Sequence, residues 1–166
     1  MIVLIGFMGA GKSTVGKKLA RHLGLPFVDA DDLIVAAAGQ SIPEIFAERG
    51  EPGFRKLEAE VIIGELNRGD DGVFALGGGA LESADVVFAL RRHRVVWLKV
   101  TFRRAMQRVG SDGNRPMLAD PELLQVFLRR QHRYEQAADY TIRCGSRTST
   151  DVAQALYELF DTNPVE

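Results

Sequence analysis

Residues 1–24 read MIVLIGFMGAGKSTVGKKLARHLG, and the order of residue types in this stretch decides the fold. Met1 to Ile5 is a short apolar run of the kind that forms a strand buried on both faces. A glycine-rich turn interrupts it, and Val15, Leu19, Ala20 and Leu23 then recur at helical spacing. Gly6, Gly11, Lys12 and Ser13 fit G-x-x-x-x-G-K-[ST]. In that pattern main-chain N–H groups surround phosphates, the lysine reaches the β and γ oxygens, and the hydroxyl meets Mg²⁺. The stretch predicts strand, phosphate loop and helix, with Gly9, Ala10, Gly11, Lys12, Ser13 and Thr14 against the nucleotide. The helix then begins at the phosphates, its positive dipole end toward them. A ligand-free turn would have no use for Lys12 and Ser13 directly after Gly11.

The 166 residues suit one domain, residues 1–166, large enough for a sheet covered by helices on both faces. A net charge of -1 argues against general binding to nucleic acid or an anionic membrane. No stretch is apolar for long enough to span a bilayer, and the opening run lacks the basic flank of a signal peptide. The lone Cys144 cannot form an internal disulfide, which fits a reducing cytoplasm. Cytoplasmic location and a monomer are the expectations.

Beyond Gly24, PFVDAD predicts a second strand ending in acids. One of Asp29, Asp31 and Asp32 is expected to cap the next helix, and three exceed what a cap needs. Ligands of open α/β sheets bind at the carboxyl ends of strands, so a metal or substrate role falls to at least one of them. Ser41 and Glu44 form a capping-box pattern for a helix that Gly50 ends. The segment GFRKLEAEVIIGELNRG predicts a helix with Phe54, Leu57, Val61, Ile62 and Leu66 on one face and Arg55 beside Glu58. Val73 to Leu76 predicts a third strand, ending in Gly77, Gly78 and Gly79, where the main chain is expected to approach something bulky.

A helix at 83–90, a strand at 94–100 and a helix at 101–110 follow. Residues 110–121, GSDGNRPMLADP, are aperiodic and rich in turn formers, which predicts either a mobile functional loop around Arg115 or simple disorder. A helix at 122–138, a fifth strand Tyr140 to Arg143 and a closing helix Asp151 to Phe160 complete the chain, with 162–166 fraying. Alternating strands and helices predict an α/β fold with a parallel sheet.

A phosphate loop by itself says only nucleoside triphosphate. No hydrophobic strand ends in Asp at the third strand; Gly77 to Gly79 stand there instead, and the acids follow the second strand. With a lid arginine, those parts suit a kinase, which must align two substrates, neutralise developing phosphoryl charge and exclude water.

GFMGAGKSTVGKKLA at 6–20, DAD at 29–31, SIPEIFAERGEPGFRKLE at 41–58, LGGGA at 76–80 and NRPML at 114–118 resemble the successive motifs of the shikimate kinase family, in order and at similar spacing. The resemblance covers nearly the whole chain. It implies the nucleoside monophosphate kinase-like P-loop fold, a five-stranded parallel sheet in the order 2-3-1-4-5 with helices on both faces. It implies ATP-dependent phosphorylation of the 3-hydroxyl of shikimate, on the route to chorismate and aromatic amino acids, with ATP and Mg²⁺ as cofactors.

By the same resemblance Ser13 and Asp29 serve Mg²⁺, and Asp31 binds shikimate hydroxyls and is the candidate base. Arg55 and Arg133 clamp the substrate carboxylate, Glu58 holds Arg55, and Gly77, Gly78 and Gly79 border the ring. Lys12 and the lid residue Arg115 (lid 110–120) stabilise the transferring phosphoryl, while Arg108 and Arg147 flank adenine. Gly53 departs from the bulkier residue usual in the family. The competing readings are another small-molecule kinase of this architecture, such as a gluconate kinase, and a non-catalytic nucleotide-binding module. The first would not need two arginines converging with Asp31; the second would need neither Asp31 nor a lid arginine.

Overall fold

The computed structural model describes residues 1–109 and 121–161. The expected lid, with Arg115, and the expected fraying of 162–166 lie outside the described residues. Strand β1, Ile2–Ile5, is buried along its whole length at the centre of the sheet. It pairs in parallel with β3, Val73–Ala75, on one side and with β4, Arg94–Lys99, on the other. Strand β2, Phe27–Asp29, adds to β3, and β5, Tyr140–Arg143, adds to β4. The order is β2-β3-β1-β4-β5, as expected.

The chain thus builds outward from β1 in both directions, which opens a crevice at the carboxyl ends of the strands, where open α/β sheets bind ligands. The phosphate loop leaves β1 at that edge, Asp29 ends β2 there, and the three glycines follow β3 there.

Helix α1, Lys12–Leu23, packs its Val15, Leu19 and Ala20 face inward, and the last helix α7, Ser149–Asp161, lies against it. Helix α7 starts two residues earlier than its apolar spacing suggests, because Thr148 and Asp151 exchange hydrogen bonds that cap it at Thr148. Helix α2, Ala30–Ala38, starts directly at the end of β2, with Asp29 as its cap. Asp29 is at once the last residue of β2 paired with β3, opposite Ala75, and the cap of α2, so the strand ends there and is shorter than PFVDAD suggests.

Helix α3 runs from Ile42 to Asn67 with a break at Gly50 (φ 64, ψ 179), so the two expected helices lie end to end across one kink. Glu44 accepts from both the N–H and the hydroxyl of Ser41 at its start. Helices α4, Ala84–Leu90, α5, Phe102–Val109, and α6, Pro121–Ala137, follow the expected positions to within two residues. A 3₁₀ turn at Ala80–Glu82, between the glycines and α4, has no apolar period and was not foreseen.

The main core fills both faces of the sheet. Phe127 of α6 meets Phe7 edge-on at 5.1 Å, and Trp97 lies 6.0 Å from Tyr134. Ile34, Ile45 and Phe54 form a second, small core between α2 and α3. Among the described residues no helix is long and apolar enough to cross a membrane.

Candidate active site

The loop after β1 closes on Gly11, whose φ of 91° turns the chain into α1 without a side-chain cap. This leaves the first N–H groups of the helix facing the crevice. Lys12 folds back along the loop, its Nζ donating to the carbonyls of Gly6 at 2.8 Å and Phe7 at 3.1 Å. Burial lowers its pKa to about 8, while Asp31 and Asp29 pull the other way.

The Ser13 hydroxyl donates to Asp29 Oδ2 at 2.6 Å, and Asp29 Oδ1 accepts from the Asp31 N–H at 3.1 Å. Asp29 therefore caps α2 and faces Ser13 at once. Burial, and after it the charge of Asp29, raises the pKa of Asp31 above the usual carboxylate range, with Lys12 opposing.

On the other flank of the loop, Arg108 of α5 donates to the carbonyls of Gly9 at 3.1 Å and Ala10 at 3.3 Å. A cavity of about 240 Å³ opens beside it, bounded by Gly11, Thr14, Arg108, Cys144 and Arg147. Arg108 and Arg147 thus border one recess next to the phosphate loop.

Across the crevice, Arg55 of α3 donates through Nη1 to Glu58 Oε2 at 2.6 Å. Glu58 is the only charged side chain buried among the described residues. Burial raises its pKa, and Arg55 counters that shift. The three glycines are fitted to these groups. A β-carbon on Gly77 would lie 2.6 Å from Glu58 Oε1 and 3.8 Å from Asp31 Oδ1, and one on Gly79 would lie 2.5 Å from the Arg55 guanidinium. The close approach predicted from sequence is thus already made by the protein's own side chains.

Arg133 lies on the exposed face of α6, its Nη1 donating to the Leu81 carbonyl at 2.9 Å. The arginine that α6 turns toward the glycines is Arg130. Its side chain is 12% exposed, it lies over the Phe7 ring, and its Nη1 is 3.8 Å from where a Gly78 β-carbon would stand. Arg130 Nε and Nη2 donate to Glu82 Oε1 at 2.9 and 2.6 Å, and the Tyr134 hydroxyl donates to the Gly78 carbonyl.

Arg130, Glu82 and Tyr134 were missed from sequence. For Arg130 and Tyr134 a signal existed: both share a face with buried Phe127 at helical spacing, whereas Arg129 and Arg133 fall on the exposed side. Among the described residues no three His, Cys, Asp or Glu side chains cluster as a metal site. Ser13 and Asp29 instead offer two oxygen donors beside the phosphate loop. That suits a divalent ion completed by phosphate and water.

The family model for shikimate kinase matches residues 8–160. The chain belongs to the shikimate kinase family. A shikimate kinase of Corynebacterium efficiens is 39% identical over 97% of this chain and 97% of its own. One of Streptomyces coelicolor is 42% identical over 93% of this chain and 92% of its own. The solved shikimate kinase of Acinetobacter baumannii in complex with shikimate superposes with a TM-score of 0.87 at 38% identity, covering 99% of this chain and 94% of that one. In this shikimate kinase family member Asp31, Arg130 and Arg55 approach Gly77, Gly78 and Gly79 in turn, beside the phosphate loop.

Proposed function

We propose that this chain transfers the γ-phosphoryl of ATP to the 3-hydroxyl of shikimate, giving shikimate 3-phosphate and ADP. The observation that carries the reading is the convergence of one carboxylate, Asp31, with two guanidinium groups, Arg55 and Arg130, around the glycines beside the phosphate loop. A ring bearing one carboxylate and neighbouring hydroxyls needs that set, because planar guanidinium forks match a carboxylate and a carboxylate accepts from hydroxyls.

In this reading Arg55 and Arg130 bind the substrate carboxylate, and Arg133 braces the 3₁₀ turn behind them through Leu81. Asp31, whose pKa burial raises, accepts hydrogen bonds from the ring hydroxyls. It takes the proton of the attacking oxygen as the bond to γ-phosphorus forms and the bond to the β–γ bridging oxygen breaks. Lys12 leaves its two loop carbonyls for the phosphate oxygens. Arg108 and Arg147 flank the base. Arg115, in the 110–120 segment, closes over the phosphoryl group and excludes water. Ser13 and Asp29 would hold Mg²⁺, which when bound neutralises phosphate charge. The enzyme acts in the cytoplasm as a monomer, on the route to aromatic amino acids.

The test is ADP release with shikimate, gluconate and nucleoside monophosphates offered separately. Shikimate alone should drive turnover. Turnover with gluconate and none with shikimate would assign the crevice to another acid.

A further inference from the structure

Glu82 belongs to no motif of the sequence, yet its carboxylate lies between the two arginines. Its Oε1 accepts from both Nε and Nη2 of Arg130, which fixes the plane of that guanidinium as well as its position. Its Oε2 lies 4.0 Å from Nε of Arg55, a buried atom with no hydrogen-bond partner among the described residues. The 3₁₀ turn at Ala80–Glu82 is what lifts Glu82 to this place.

An arginine has many rotamers, and a binding site that must order one at the moment of capture loses affinity. Arg55 escapes this through Glu58, which grips Nη1 and leaves Nε uncommitted. Arg130 has the same arrangement by a different route: Glu82 grips its Nε and Nη2 edge and leaves Nη1 over Gly78. We propose that Glu82 is a positioning residue for the substrate carboxylate, holding Arg130 in the orientation that completes the clamp with Arg55. This role rests on the reading of Arg130 as a substrate ligand. Glu82 touches neither substrate nor the reacting atoms, so it acts on capture and leaves the chemical step alone.

The opposite is conceivable on the same contacts. A carboxylate between two arginines could instead be an internal rival that the substrate has to displace. The two roles differ in sign. Steady-state kinetics of Glu82→Ala and Glu82→Gln, each against both substrates, separate them. For a positioning residue, Glu82→Ala raises the KM for shikimate about tenfold, because the Arg130 guanidinium loses the carboxylate that orients it. It leaves kcat and the KM for ATP within about twofold. Glu82→Gln, which keeps an acceptor oxygen, recovers part of the loss. A merely structural role would move both KM values together and would not distinguish Gln from Ala. A shikimate KM that is unchanged or lower in Glu82→Ala, with the wild type active, overturns the inference alone. A wild type that does not phosphorylate shikimate overturns the activity, and this role with it.

Discussion

At the scale of single residues, Lys12 carries the sharpest pH dependence. Its folded pKa of about 8 lies below the ordinary 10.5, so at neutral pH the fold bears a partly desolvated ammonium. That penalty is relieved as pH rises from about 8 toward 10.5, and the residue's contribution to stability improves over that window. Nucleotide affinity runs the other way, because phosphate oxygens need the charged form. ATP affinity should fall about tenfold between pH 7 and pH 9. Titration calorimetry in two buffers of different ionisation heat should show proton uptake on binding near pH 8; affinity that is flat across this range would remove Lys12 from the phosphate contacts. The arginines of α6 give a second test at this scale. Arg130→Met should raise the shikimate requirement about 10- to 100-fold, since the substrate carboxylate loses charge-assisted bonds. Arg133→Met, which gives up one bond to a main-chain carbonyl at the surface, should change it little. Equal effects would restore Arg133 to the clamp. The sequence could have separated them, because the period of α6 places Arg130 with Phe127 and Tyr134 inside. Glu82 was beyond such reasoning: its turn has no apolar period, and its partner lies 48 residues away.

At the scale of elements, the phosphate-loop helix was fully legible because strand, turn chemistry and helical period agree there. The fit of the glycines was half legible. Their close approach followed from composition, but its cause, Glu58 and Arg55 reaching from α3, needed the tertiary fold. The two outer glycines should accordingly fail differently. Gly77→Ala puts a methyl against a buried acid already bound to Arg55, so it should destabilise the fold by about 1–3 kcal/mol in denaturant unfolding. Gly79→Ala meets only the far end of a partly exposed arginine, which can swing away. Its stability should hold while shikimate binding is lost; a normal shikimate KM there would show that Arg55 is not needed where it stands. A third contact joins elements that the sequence gives no reason to pair. Lys18 on α1 donates to the hydroxyls of Ser149 at 2.9 Å and Thr150 at 2.6 Å on the first turn of α7, next to Arg147. Lys18→Met should lower unfolding stability by about 1 kcal/mol.

At the scale of the whole molecule, the crevice separates two bodies of unequal cohesion. The sheet and its helices share one large core, whereas α2 and the first half of α3 rest on Ile34, Ile45 and Phe54 with a few half-buried neighbours. A core that small resists local opening weakly, so residues 30–50 should exchange amide hydrogens faster than β1, β3 and β4 in the free protein. Asp31 stands at the start of this smaller body, and Arg55 lies just beyond the break at Gly50. A shikimate molecule held by Asp31 and Arg55 on one side and Arg130 on the other would tie the smaller body to the larger. Shikimate alone should then slow exchange in residues 30–50 severalfold, while ATP alone slows it chiefly in the loop at residues 6–14. Hydrogen exchange read by mass spectrometry with each substrate in turn distinguishes the two patterns. Protection by shikimate confined to α6, with residues 30–50 unchanged, would mean that the acid wall of the crevice does not grip the substrate.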